Sequence, residues 1–381
     1  MKNYTQHYTF PTSYDAILEQ LDGIKPALYA RTRNFVDGSV TYLSPYISRG
    51  VISCRQVLNH VLKKDHKPWQ IEKFIQELAW REYFQRTWQQ LGDGIWDDIK
   101  RPQPDVVHHR MVDAVAAAST SINAIDEHIQ LLFDKGYMHN HVRMYVASIT
   151  CNIAKAHWLV PSKWLYYHLL DGDIASNTCS WQWVAGAFAT KKYYCNQDNV
   201  NRYTYSEQKD TFLDKEYPAL VNMPVPPQLE ASSELTLHTP LPQTALPAID
   251  ISKPTFIYNN YNLDPQWHSH EDGNRILLLE PSHFEKYPVS KQVIDFILAL
   301  GKNILGLQVY TGEMSAIAKL YPNSETANEQ IVSKENPVYS HYTGKREERD
   351  WMFPEVVKPY SSFFAFWKKC APYLKEYTGN Q

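Results

Sequence analysis

GYMHNHVRM (136–144) and DGDIASNTCSWQWVAG (171–186), with Trp158 between them, decide how this chain is read. Asp171 and Asp173 bracket Gly172, Asn177 follows about one helical turn after Asp173, and Trp181 and Trp183 flank a glutamine. Arg143 precedes a Thr-Cys-Asn helix stretch beginning at Thr150. Carboxylates, an amide, a guanidinium and indoles so close along a helical pattern suit a large, flat ligand.

Outward from this stretch, apolar residues recur at helical spacing in IEKFIQELAWREYFQRTW (71–88) and VRMYVASITCNIAKAHW (142–158), and the pattern to about residue 213 predicts helices. Eight prolines then fall between 217 and 254, interleaved with Ser, Thr and Gln. Repeated loss of the backbone donor prevents regular structure, so this segment is expected to be a linker wrapped over the surface. Beyond it the grammar changes. TFIY (255–258) and RILLLE (275–280) predict short buried strands, SKQVIDFILALGK (290–302) a helix, ILGLQVY (304–310) a strand, and EMSAIAKLY a further helix. Strand, helix, strand implies a parallel βαβ unit. The expected fold class is therefore α + α/β: an all-helical domain over 1–215, a Pro-rich linker over 216–254 and a small Rossmann-like parallel α/β domain over 255–381.

A chain of 381 residues is long enough for two domains. Its net charge of −3 argues against a generic nucleic-acid binder. Residues 1–215 carry 24 Lys and Arg against 22 Asp and Glu, while the remainder is net acidic, which weakly favours the first part as a nucleic-acid face. Five cysteines without CxxC spacing suit a reducing compartment, and no zinc site is expected. The opening MKNYTQHYTF lacks an apolar signal region and no long apolar run follows, so a cytoplasmic protein with no membrane partner is expected.

Four segments in order, RTRNFVDGSVTYLSPYISRGVIS (31–53), FIQELAWREYF (74–84), SINAIDEHIQLL (121–132) and the DGD and WQW stretch, resemble the flavin-binding domain of the photolyase and cryptochrome family. The resemblance implies FAD as cofactor. Isoalloxazine is planar and redox-active, and its site must supply hydrogen bonds near the ring nitrogens while excluding water. By family position, Asn177 faces the nitrogen that gains a proton on reduction, where an amide can accept as well as donate. Taken alone, Asn177 could equally be a helix cap. Arg143 and Asp171 match a salt bridge beside the ring, with the bland alternative of an interhelical ion pair. Gly172 and Asp173 complete the DGD motif, Asp173 on the ribose side. Tyr29, Thr41, Leu43 and Ser44 fall where the family grips phosphates and ribose. Tyr42 stands where the family usually has arginine, so the resemblance implies no guanidinium contact to the pyrophosphate here.

Trp181 and Trp158 match the first two members of the family's electron-relaying tryptophan chain, a task suited to oxidisable, closely packed indoles. The third has no counterpart near Asp105, so the relay is expected to end at a tyrosine or at Trp96. Glu77, Trp80, Asn140, Met144 and Trp183 coincide with positions that contact a flipped cyclobutane dimer. MHN at 138–140 replaces the paired histidines of (6-4) enzymes, so His139 and His141 are expected beside the pocket, not as a proton-transfer dyad or metal site. Two phosphate contacts are lost, one at His141 and one near Asn196, leaving Arg81, Lys191 and Lys192 to compensate.

The downstream order TFIYNNYNLDPQW, RILLLEPSHF, helix, ILGLQVYTGE and KPYSSFFAFWKK (358–369) is similar to the family's light-harvesting α/β domain. In the family that domain comes first, so the reversed order implies a circularly permuted relative; the alternative is an unrelated α/β domain. An antenna pigment, folate or deazaflavin, is an expectation from resemblance alone. Two functions stay open beside a flavoprotein with no light function. One is blue-light repair of cyclobutane dimers in damaged DNA, single-stranded DNA included. The other is a photoreceptor whose photoreduced flavin alters binding to a signalling partner.

Overall fold

Helix Ile174–Ala185 buries Ile174, Thr178, Cys179, Trp181, Gln182 and Ala185, which cover its circumference, so it belongs inside a core. Asp173 starts it by accepting the Ser176 N–H at 2.7 Å, and Gly186, at φ 81°, ends it. The computed structural model, which describes residues 8–379, places this helix in the first of two units. That unit comprises Ala27–Val40 and Asp93–Leu237, with the described amino-terminal residues up to Thr9. Around the central helix pack Asn123–Lys135, Asn140–Ser148 and Leu159–His168. Asn123–Lys135 stops at Gly136 in the left-handed conformation. Asn140–Ser148 begins under His139, whose Nδ1 accepts the His141 N–H, and runs on into a π-helical turn, Ile149–Ile153. The shared core includes Ile129, Val142, Tyr145, Trp158, Trp164 and Trp181.

The proline-rich segment holds more structure than the sequence suggests. Pro218 sits in the first turn of a short helix, Tyr217–Val221, where its missing N–H costs nothing. Strand β2 (Ser232–Ser233) then pairs antiparallel with β1 (Met111–Val112). From residue 234 to 254 no regular element forms.

The second unit comprises Phe10–Pro26, Thr41–Gly92 and the chain from His238 onward. Its centre is a five-stranded parallel sheet of β3 (Thr255–Tyr258), β4 (Asn274–Leu279), β5 (Leu307–Thr311), β6 (Ile331–Lys334) and β7 (Lys345–Glu347), ordered β5-β4-β3-β6-β7. Counted along the chain that is 3-2-1-4-5, the order of a doubly wound sheet. Ile257 on β3 pairs with Ile276 on one side and Ser333 on the other. Helix Lys291–Gly301, capped by Ser290, makes the crossover from β4 to β5. The βαβ reading of 255–310 thus describes the strands observed, but β5 begins only at Leu307: Gly306 lies at φ 74°, and Leu305 is 91% exposed in the turn before it.

One difference from the sequence expectation concerns the long helix Pro68–Leu91, which belongs to the unit of the sheet. Its anchors come from the far end of the chain. The buried Glu82 carboxylate accepts the N–H groups of Met352 and Phe353. Tyr83 donates its hydroxyl to the Tyr360 carbonyl, and Trp80 stacks on Phe363 of helix Phe363–Gly379 with ring centroids 3.7 Å apart. Among the described residues no helix is long and apolar enough to cross a membrane.

Candidate functional site

In the first unit, helix Asn140–Ser148 and the turn before helix Ile174–Ala185 bring Arg143 to Asp171. Arg143 Nη2 donates to both carboxylate oxygens, at 3.0 and 2.9 Å, while its Nε donates to the Met138 carbonyl at 2.8 Å. The Asp171 side chain is 4% exposed, and the guanidinium lies 5.3 Å from the Tyr137 ring centre. Few exposed ion pairs are held this way; three directed bonds fix the guanidinium plane. Gly172 follows in a turn whose Cβ position would come within 3.0 Å of the Leu169 carbonyl oxygen. Asp173 gives one oxygen to the helix cap, so the cap is Asp173 and not Asn177.

Asn177 Nδ2 donates to the Ser162 carbonyl at 2.9 Å. That bond fixes which way the amide points and leaves its oxygen with no acceptor role filled among the described residues. Nearby on the same helix, the Ser176 and Thr178 hydroxyls are buried without a hydrogen-bond partner. Sequence reasoning passed over Ser162, whose part is played by a backbone carbonyl and leaves no residue-type signal.

Trp158 and Trp181 are both buried in one core. Trp158 Nε1 donates to Asp98 at 2.6 Å, a partner that no spacing in the sequence announces. Asp105, where a third indole is missing, sits at φ 62° and pairs with Lys192 at 2.8 Å, which holds its carboxyl below the usual range. Lys192 is thereby engaged with Asp105. Trp96 has Lys163 Nζ 5.6 Å from its ring.

Asn140 is exposed, Met144 half-buried, and Trp183 is 37% exposed with its ring 5.9 Å from Tyr193. His141 packs edge-on against Tyr145 and Tyr203, and burial, helped by Arg33, pushes it down to about 4. Burial likewise pushes His139 down to about 3, so both rings are neutral at pH 7. Asn196 caps helix Gln197–Thr204 by accepting the Asn199 N–H. Among the described residues no group of three or more His, Cys, Asp or Glu is placed to hold a metal ion.

Tyr29 is half-buried in helix Pro26–Thr32 of the first unit. The other expected positions lie in the second. The Thr41 carbonyl accepts from Gln20, Tyr42 takes φ 52°, Leu43 is buried and Ser44 opens a short helix. Glu77 pairs with Lys73 at 2.7 Å, and Arg81 donates to Ser48 at 2.9 Å. One face of Trp80 is taken by Phe363.

The family model for the FAD binding domain of DNA photolyase matches residues 74–240. Over these residues the chain is similar to the FAD-binding domain of the photolyase and cryptochrome family. It is similar to a deoxyribodipyrimidine photo-lyase of Synechococcus, 31% identical over 42% of this chain and 35% of that one, and to one of Streptomyces griseus, 29% identical over 38% and 31%. Among solved structures it is similar to a Synechocystis cryptochrome (22% identity, TM-score 0.45, 51% of this chain and 44% of that one). A class III photolyase of Agrobacterium tumefaciens is similar as well (24%, 0.41, 53% and 47%). The chain thus spans about a third of the length of these two curated photo-lyases. FAD is the cofactor of this family's domain, and the donor set fits it. The photolyase-type segment offers the amide of Asn177, two unpartnered buried hydroxyls and a fixed guanidinium, the chemistry a flavin's polar edge requires. Tyr29, Thr41, Leu43 and Ser44 lie outside the matched span.

Proposed function

We propose that this protein is a blue-light-driven FAD flavoprotein that repairs cyclobutane pyrimidine dimers in DNA by photoinduced electron transfer. The observation that carries the reading is the Asn177 amide, held by Ser162 with its oxygen free to accept a proton donor, within the segment that matches the family. Bound FAD supplies the light absorption and the single electron. Arg143, Asp171, Gly172 and Asp173 hold the cofactor, with Tyr29, Thr41, Leu43 and Ser44 assigned to its phosphate and ribose end. Trp181 and Trp158 return electrons from the protein. Substrate contacts are assigned, from the resemblance, to Asn140, His141, Met144, Trp183, Glu77, Trp80 and Arg81. His141, being neutral, serves by shape and not by charge. The parallel unit downstream is read as the family's light-harvesting domain in permuted order.

Two observations favour a second reading, a photoreceptor that undergoes flavin photoreduction without repair. Phe363 occupies a face of Trp80 on which a base would stack, and Lys192 is tied to Asp105. Illuminating the reduced protein with dimer-containing single- and double-stranded DNA separates the two. Recovery of pyrimidine absorbance is expected, more readily in single strands, which need no duplex unstacking. No recovery in either substrate, from a protein that binds FAD, leaves the photoreceptor.

A further inference from the structure

The Trp158 side chain is completely buried, and its Nε1–H donates to Asp98, 2.6 Å away. Gln103 clamps the two together. Its backbone N–H donates to the other Asp98 oxygen at 2.8 Å, its Oε1 accepts the Trp158 backbone N–H at 2.8 Å, and its Nε2 holds the Ala156 carbonyl at 2.9 Å. His157 Nε2 lies 3.4 Å from Asp98, and its ring stacks on His109. Trp181 makes no hydrogen bond to a carboxylate among the described residues, so the two relay indoles are chemically unequal.

We propose that Asp98 is the proton acceptor of Trp158 and that this pair, in place of a third indole, ends the electron relay. The inference rests on the flavin photoreduction reading and deepens it. Light-excited flavin is the one-electron oxidant, and Trp181 passes it an electron that Trp158 replaces. An indole radical cation beside a carboxylate in a mostly buried site leaves two charges to be held out of water, which is costly. Here the Nε1–H bond breaks heterolytically and the proton bonds to Asp98 Oδ1, so a cation and an anion become a neutral indolyl radical and a neutral carboxylic acid. The electron cannot return until the proton does, which protects the separated state. A thiol reductant in solution later supplies the electron and Asp98 the proton. Asp98 is 20% exposed, giving that proton contact with water.

Asp98→Asn tests this, because an amide oxygen keeps the hydrogen bond and cannot take the proton. After a flash, the FAD-loaded wild type is expected to show the neutral indolyl radical with a decay slowed in heavy water. D98N is expected to show the radical cation, recombining faster by on the order of 10²-fold, the low end of what a positioned base contributes. Asp98→Glu should restore the neutral radical. Independently of flavin, the ¹⁵N-labelled indole N–H of Trp158, assigned through Trp158→Phe, should resonate well downfield and move upfield in D98N. A neutral radical of unchanged lifetime in folded D98N overturns the proposal alone. FAD-loaded wild type that forms no indole radical overturns the photoreduction reading and the proposal together.

Discussion

Arg143→Ala is expected to abolish retention of FAD and to lower unfolding stability by about 3–5 kcal/mol, the usual result of removing one partner of a buried ion pair. Asp171 would keep its place in the core with neither oxygen bonded to Nη2, and the Met138 carbonyl would lose its donor. Equilibrium urea unfolding measures the first effect; FAD titration followed by flavin absorbance measures the second. Arg143→Lys should fall between, because an ammonium cannot bond Met138 and both Asp171 oxygens in one plane. The double replacement Arg143→Met with Asp171→Leu separates bracing from cofactor binding. Apolar partners of similar volume can restore stability where a buried pair is only structural. If stability returns and FAD affinity does not, the pair contacts the cofactor. If both return, the pair is an interhelical brace and its assignment to the flavin fails.

How far the sequence reaches depends on the distance over which each feature is decided. TFIY and RILLLE were legible as strands because every residue that makes them buried lies within the run, and Ser290 marks the start of the crossover helix locally. IVSK and KRE, which form β6 and β7, are too short and too polar to carry a period; the sheet beside them makes them strands. Within the site, the placement of Arg143 against Asp171 follows from motif positions, whereas Asp98 and Ser162 reach their partners across turns and through backbone atoms. The membership of helix Pro68–Leu91 was the least legible. Its helical pattern is local, but the neighbour it chooses is set by hydrogen bonds spanning most of the chain. Amphipathic spacing says that a face will be buried and is silent on what buries it.

That helix supplies the other large effect, through Glu82. Its Oε2 accepts the Met352 N–H at 2.5 Å and its Oε1 the Phe353 N–H at 2.9 Å, so one carboxylate satisfies two buried donors. Glu82→Ala strands both and removes the charge facing Arg86, whose guanidinium sits 3.6 Å above the Trp351 ring. With each stranded group costing about 1–3 kcal/mol, a loss of about 3 kcal/mol or more is expected near pH 4.5, and it shrinks as pH rises through the folded Glu82 value. Burial pushes the Glu82 carboxyl up to about 7 from its ordinary 4.5, against the opposing pull of the two N–H groups and Arg86. The sign follows. A group whose folded value is raised stabilises fully below its unfolded value, and that contribution is lost as pH rises through the folded one. Wild-type stability should therefore fall by about 3 kcal/mol between pH 4.5 and pH 7.5 on account of this group. Glu82→Gln, which resembles the protonated acid and does not titrate, should remove that slope while staying close to wild type at the acid end. Urea midpoints across this range measure both curves, and an unchanged slope in E82Q would mean that the pH dependence arises elsewhere.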